Sequence, residues 1–182
     1  MENERKKLQL EELGRMDENH FKEASKIPVV IVLDNVRSGH NVGSFFRTAD
    51  AFRLSEIHLC GYTPIPPNKE IRKTALGATE TVKWTQFEST QISVELLKSQ
   101  GYQIYSLEQT SSSISLEAFS FPEDGKLAFV FGNEVRGVEQ AIIDFSDGCI
   151  EIEQLGTKHS LNVSICGGIV LWDAFKAYRK NL

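Results

Sequence analysis

Apolar residues in this chain come in blocks whose spacing switches between two periods. Val29–Leu33 is an unbroken, mostly β-branched apolar run, the pattern of a strand buried on both faces. Leu127–Phe131 repeats it. Shorter runs at Ile57–Cys60, Thr81–Trp84, Tyr102–Ser106 and Cys149–Ile152 predict four further strands. Helical spacing predicts helices over Asn41–Phe52, Lys69–Leu76, Ser89–Gln100, Val138–Phe145 and Leu161–Tyr178, with Gly101 closing the third as a C′ residue. Gly61–Pro67 and the Ser/Thr-rich Thr110–Ser115 are predicted loops. Strands alternating with helices imply an α/β domain over residues 28–182, with a mostly parallel sheet flanked by helices. Residues 1–27 lack β-branched runs. Leu8, Leu10 and Leu13, then Phe21 and Ala24, predict a short N-terminal helical extension of two pieces broken near Gly14.

Composition narrows the classes. The 182 residues make one domain, and 41% hydrophobic with 25% charged residues is a soluble globular balance. Cys60, Cys149 and Cys166 form no CxxC pair, against a disulfide framework or structural zinc and in keeping with a reducing cytoplasm. The four histidines stand in no ligand spacing, so no metal is expected. No apolar run is long enough to span a bilayer, and Met1–Lys7 leads into no apolar signal region, so a cytoplasmic protein without membrane contact is expected. The net charge of −5 disfavours an unspecialised polyanion binder. That charge is uneven, however. Residues 29–84 carry seven Lys/Arg against five Asp/Glu (+2), whereas residues 85–182 carry seven against thirteen (−6).

Open α/β sheets bind ligands beyond the carboxyl ends of their strands. Here those positions read Asp34-Asn-Val-Arg-Ser-Gly-His-Asn41, Leu107-Glu108, Gly132-Asn-Glu-Val-Arg-Gly137 and Glu153-Gln-Leu-Gly-Thr-Lys-His-Ser-Leu-Asn162, crowded with side-chain donors and small glycines. No GxGxxG follows the first strand, and neither GK[ST] nor GxSxG is present. That removes the dinucleotide, P-loop and commonest α/β-hydrolase readings.

Three blocks in order resemble the SpoU/TrmH methyltransferases of the SPOUT superfamily. They are Asn35…Asn41-Val-Gly43…Arg47-Thr-Ala49, Phe131-Gly132-Asn133-Glu134…Gly137 and Gly156…Ser160-Leu161-Asn162-Val163-Ser164. Lys73-Thr-Ala-Leu-Gly77-Ala78 resembles a fourth element, and the likeness covers about residues 28–178. It implies an α/β-knot fold with a C-terminal trefoil, a homodimer, S-adenosylmethionine as methyl donor, and transfer to a ribose 2′-hydroxyl in tRNA or rRNA. The chain departs from the pattern at Ile152-Glu153-Gln154, where Ile-Pro-Met is usual, and at Val135, commonly Gly. Its N-terminal extension is shorter than the RNA-binding domain of many relatives.

By resemblance the catalytic set is Arg47, Asn41, Glu134, Ser160 and Asn162. Arg47 is expected to anchor phosphate and stabilise developing alkoxide, since guanidinium is not a practical base. Asn41 also reads as an N-cap, as do Ser160 and Asn162. Leu107, Gly132, Ile152, Leu155 and Leu161 are the expected cofactor-pocket residues, and each apolar one reads equally as core. Glu153, replacing the usual Pro, is placed near the sulfonium. Arg37, His40, Arg72, Lys73 and Lys158 are the candidate RNA contacts, against the plain reading of solvated surface charge. The competing functions are a catalytically silent RNA-binding module on the same fold and methylation of a base rather than ribose.

Overall fold

A computed structural model describes residues 6–182; residues 1–5 of the expected extension lie outside the described residues, as does the side chain of Leu10. One sheet holds seven strands: β1 (Ile27–Asp34), β2 (Leu54–Cys60), β3 (Trp84–Phe87), β4 (Tyr102–Leu107), β5 (Ile114–Ser115), β6 (Lys126–Phe131) and β7 (Gly148–Glu151). Their order is β3-β2-β1-β6-β4-β7-β5, and every strand pairing is parallel. The helices are α1 (Glu18–Glu23), α2 (Gly39–Ala51), α3 (Lys69–Ala75), α4 (Thr90–Ser99), α5 (Gln140–Phe145) and α6 (Val163–Tyr178).

The two unbroken apolar runs, β1 and β6, pair with each other at the centre of the sheet. Alternate side chains leave opposite faces. Ile31, Leu33, Phe129 and Phe131 join a core with Phe45 and Phe46 of α2, Ile71 of α3 and Leu171 of α6. Val30, Val32, Ala128 and Val130 join a second core with Val94 and Leu97 of α4 and Ile142 of α5. Burial on both faces is what removes polar residues from these two strands. The chain runs from β1 outward to β2 and β3, whereas β6 takes the other side of β1. The point where the strand order reverses therefore lies between β1 and β6, and a crevice opens there at the carboxyl ends.

Several boundaries move from their predicted places. The strand expected at Thr81–Trp84 is β3, three residues later. Residues 78–82 instead form a turn in which Val82 N donates to Ala78 O, and Thr81 Oγ1 donates to Asp50 Oδ1 at 2.7 Å. The β-branched pair at 81–82 is thus consumed by a tertiary bond to α2. Ile114–Ser115, predicted as loop, adds the edge strand β5 along β7. α2 starts at Gly39 and is capped by Ser38, whose Oγ accepts from Asn41 N, so Asn41 is not the N-cap. α6 starts at Val163 and is capped by Asn162, not by Ser160. Gly101 has the left-handed φ of 83° expected of a helix-closing residue. Ahead of β1, Leu10–Leu13 forms a 3-10 turn ending at Gly14 (φ 59°), and Asp17 caps α1. Among the described residues no helix is long and apolar enough to cross a membrane.

Two features of this packing are directly testable. α2 and α3 meet at Gly43, where a Cβ would lie 2.1 Å from Thr74 Oγ1 and 2.4 Å from the Ile71 carbonyl oxygen. The carbonyl belongs to backbone and cannot swing aside. Overpacking of this kind costs about 1–3 kcal/mol, more than the gain of up to about 1 kcal/mol from replacing a helical Gly by Ala. Gly43→Ala is expected to lower the melting temperature by several degrees; an unchanged or raised value in a thermal melt contradicts the close approach.

The second feature is the polar cluster between β2 and α4. His58 Nδ1 lies 2.7 Å from Ser93 Oγ, and Glu56 accepts from Thr85 Oγ1 at 2.6 Å and pairs with Lys83 at 2.8 Å. Burial pushes the Glu56 carboxyl up, but His58, Lys83 and Thr85 outweigh it and bring its pKa from 4.5 to about 2. A lowered folded-state pKa adds stability above the unfolded value and loses it as pH falls through the folded one, here on the order of 3 kcal/mol. The stability lost by Glu56→Gln is therefore expected to be full above pH 4.5 and to shrink toward pH 2. A difference from the parent that stays constant across that window, in melts at each pH, would show that Glu56 is not held ionised.

Candidate active site

A cavity of about 510 Å³ lies at the carboxyl ends of β4, β6 and β7, closed on its remaining side by the start of α6. The turn after β6 forms its floor. Gly137, at φ 69°, folds this turn back so that Asn133 and Gly137 exchange backbone hydrogen bonds of 2.9 and 3.0 Å. A Cβ at Gly132 would lie 2.1–2.4 Å from the Gly137–Val138 backbone, so glycine is required there. The buried Asn133 ties the turn down: its Oδ1 accepts from Val135 N and Arg136 N, and its Nδ2 donates to Asn35 O and Tyr62 OH. Glu108, just past β4, accepts from Val138 N at 3.0 Å and braces the turn from its other end.

Glu134 projects from this turn across the β1–β6 crevice. Its Oε2 accepts from Arg37 N at 2.9 Å, and its Oε1 accepts from Ser38 N at 3.0 Å and from Asn41 Nδ2 at 2.9 Å. Burial opposes the charge of Glu134, but these donors outweigh it and hold the carboxyl below its ordinary pKa. An ionised carboxylate only accepts, which turns the Asn41 amide so that its Oδ1 faces α6. There Oδ1 accepts from Asn162 Nδ2 at 3.2 Å and from Ser164 Oγ at 3.3 Å. Asn162 Oδ1 simultaneously caps α6, accepting from Ser164 N at 2.9 Å and Ile165 N at 3.3 Å. Capping and site geometry are therefore served by opposite ends of one amide. Three segments distant in sequence are joined at the cavity mouth through three side chains.

Of the residues singled out from sequence, Leu107, Gly132, Ile152 and Leu161 line the cavity together with Glu134, Ser160 and Asn162. Asn41 stands behind Glu134 and Asn162 as their link. Leu155 is not on the wall and is 93% exposed. Glu153 is also exposed and off the wall; the carboxylates on it, besides Glu134, are Glu108 and Glu151. Arg47 lies on the exposed side of α2 and lines a separate hollow with Lys73, Thr74 and Gly168. Arg37, His40 and Lys158 are exposed, with His40 Nδ1 3.7 Å from Glu70. Arg72 faces a third cleft, away from Arg47. Glu108, Asn133, Ser164 and Cys166 were not among the predicted site residues. The first two stand just past strand ends, which is the signal that marks them. Cys166 is a wall residue: burial pushes its thiol up to about 11, so it is no thiolate nucleophile. Among the described residues no group of His, Cys, Asp and Glu is placed to hold a metal ion.

Known proteins resemble this chain along most of its length. The SpoU rRNA Methylase family matches residues 28–172, from β1 into α6. A protein of Borreliella burgdorferi named as an uncharacterized tRNA/rRNA methyltransferase is 29% identical over 144 residues, covering 79% of this chain and 62% of the relative. The 23S rRNA (guanosine-2′-O-)-methyltransferase RlmB of Vibrio parahaemolyticus is 30% identical over 149 residues, covering 82% of this chain and 59% of the relative. The chain thus matches less than two thirds of the length of either. Among solved structures, an AdoMet-bound rRNA methyltransferase from Sinorhizobium meliloti shares the fold with a TM-score of 0.76 at 24% identity, over 88% of this chain and 62% of that one. The matched segment contains the central strand pair, the glycine-dependent turn and the Glu134–Asn41–Asn162 link, and this chain belongs to the SpoU rRNA methylase family.

Proposed function

We propose that this chain is a cytoplasmic methyltransferase that moves a methyl group from S-adenosylmethionine to a ribose 2′-hydroxyl of tRNA or rRNA. The observation that carries the reading is the Glu134–Asn41–Asn162 link at the mouth of a cavity floored by main chain. The cavity suits this cofactor. Its 510 Å³ falls within the range of about 300–1,000 Å³ typical of small-molecule sites. Leu107, Ile152 and Leu161 offer apolar walls for an adenine ring, and the Gly132–Gly137 turn brings backbone polar groups to the same space. The choice of RNA and of the 2′-oxygen is supported by the family and by the name of the Vibrio relative.

When bound, the cofactor supplies an electrophilic methyl group on a sulfonium, which leaves without acid assistance. The hydroxyl proton released on transfer passes to solvent water, and the chain's own task is then alignment and charge stabilisation. Glu134 holds the α2 and α6 starts in register, with each of its oxygens already accepting, so it orients and does not take a proton. Asn162 and Ser160 border the space where an acceptor hydroxyl would sit. Arg47 remains charged at any working pH. Its place beside Lys73 supports the anchoring of an RNA phosphate.

Pairing of two copies and a C-terminal trefoil knot belong to the same proposal. α6 returns from β7 to pack on α2 and β1. It leaves Ile165, Ile169 and Trp172 exposed at 56%, 40% and 47% along one stripe, flanked by the Arg47 hollow at Gly168. A second copy seated on this stripe would cover it.

Incubation with labelled S-adenosylmethionine and RNA from cells lacking the gene is expected to yield one 2′-O-methylated nucleotide in a tRNA or rRNA. A protein that binds the cofactor yet methylates no RNA class would overturn the enzymatic reading in favour of a silent RNA-binding module. A methyl group mapped to a base would overturn the choice of ribose. Arg47→Ala is expected to cut methyl transfer by roughly 10- to 100-fold, the scale of losing one hydrogen-bonded contact to a charged group. Its cofactor affinity, measured by calorimetry, should stay within about twofold because Arg47 lies off the cavity wall; lost cofactor binding would show that this role is wrong.

A further inference from the structure

α3 presents cations to two different hollows. Lys73 faces Arg47, whereas Lys69 and Arg72, one turn apart, line a cleft of about 620 Å³ between the Pro66–Pro67 segment and the start of β3. Neither the Lys69 nor the Arg72 side chain makes a hydrogen bond or ion pair among the described residues, in contrast to Lys83 and Lys98, which pair with Glu56 and Asp147. Trp84, the first residue of edge strand β3, is partly exposed in this cleft and packs its remaining surface on the core. The acidic residue of the lining is Glu80, whose Oε1 accepts from Thr79 Oγ1 at 3.3 Å. The cleft therefore combines an indole, a diproline wall, one carboxylate and two cations that form no ion pair.

That set matches one ligand chemistry. An unpaired nucleotide offers a flat π-surface for an aromatic ring, worth about 1–3 kcal/mol per stacked base, and carries phosphates on both sides of it. A buried structural Trp needs no free cations beside it, and an acidic partner would not stack. We propose that the Trp84 cleft docks an unpaired base of the substrate RNA other than the methylated nucleotide. The base lies between Trp84 and Pro66–Pro67, and its flanking phosphates rest on Lys69 and Arg72. Lys73, on the same helix, and Arg47 line a separate hollow, where a further phosphate of the same strand would rest. The proposal rests on the RNA reading above and adds to it a second, sequence-tolerant docking point.

The test uses the full chain with 5′-fluorescein octauridylate and octaadenylate, read by anisotropy and by tryptophan emission. Saturable quenching is expected in the parent and is expected to vanish in Trp84→Phe, where only Trp172 emits. Trp84→Leu should weaken binding roughly 5- to 150-fold, the affinity equivalent of one stacked base. Lys69→Ala combined with Arg72→Ala should flatten the log–log salt dependence by roughly 0.7 for each phosphate that is no longer neutralised. Three results would each overturn the proposal. They are binding without any change in Trp84 emission, unchanged affinity in a Trp84→Leu protein shown to be folded by its thermal melt, and no binding of either oligonucleotide. Methyl incorporation into cellular RNA is measured on the same preparations. Methyl transfer with a silent Trp84 removes only the docking site, whereas Trp84 quenching without methyl transfer to RNA removes the methyltransferase reading and leaves the docking site standing.

Discussion

A single carboxylate, Glu134, joins the parts of this molecule that must stay in register. It accepts from two consecutive backbone N–H groups after β1 and from the Asn41 amide at the start of α2. The two N–H groups at the entry to α2 thereby gain a charged acceptor, and charge-assisted hydrogen bonds are the stronger kind. In return the carboxylate is held ionised, which fixes the orientation of Asn41 and, through it, of Asn162. The geometry of the cavity mouth is thereby an extension of the hydrogen-bond accounting at a helix start.

This bracket works because of where it stands. β1 and β6 are central, parallel and buried on both faces, so their carboxyl ends are held by packing on both sides of the sheet. The reversal of strand order puts the crevice between these two ends. The turn after β6 needs Gly132 for close backbone approach and Gly137 for its left-handed conformation, and Asn133 and Glu108 pin it from either side. A floor made of tied-down backbone is preorganised, which suits a reaction that depends on alignment more than on acid–base chemistry.

Charge is divided along the same lines. The basic excess of residues 29–84 lies on α2, α3 and the loops beside them, where Arg47, Lys73, Arg72 and Lys69 are exposed, whereas three of the carboxylates of residues 85–182, Glu108, Glu134 and Glu151, line the cavity. The total of −5 is thus a poor guide to the face that meets an anion. The two signs are thus separated along the sequence, with exposed cations gathered on α2 and α3 and three carboxylates on the cavity wall.

The features dictated by amino-acid order alone were local ones. Val29–Leu33 and Leu127–Phe131 announced central strands, because a strand buried on both faces cannot carry polar residues. The parallel sheet, the helices after most strands and the ring of polar residues at the strand ends were legible for the same kind of reason, as were the family blocks. Boundaries failed where a tertiary bond outbid local preference: Thr81 turned to Asp50 and left the strand to begin at Trp84. Leu155 looked like a pocket wall and lies in solvent, and Asn41 looked like a cap that Ser38 supplies. The site itself belonged to the tertiary structure. Glu134 is 93 residues from Asn41, and Asn162 is 121 from it, and the hydrogen bonds that join them exist only once the sheet brings three strand ends to one crevice. Periodicity reports which face of an element is buried, but not which polar side chain from a distant element will meet it there.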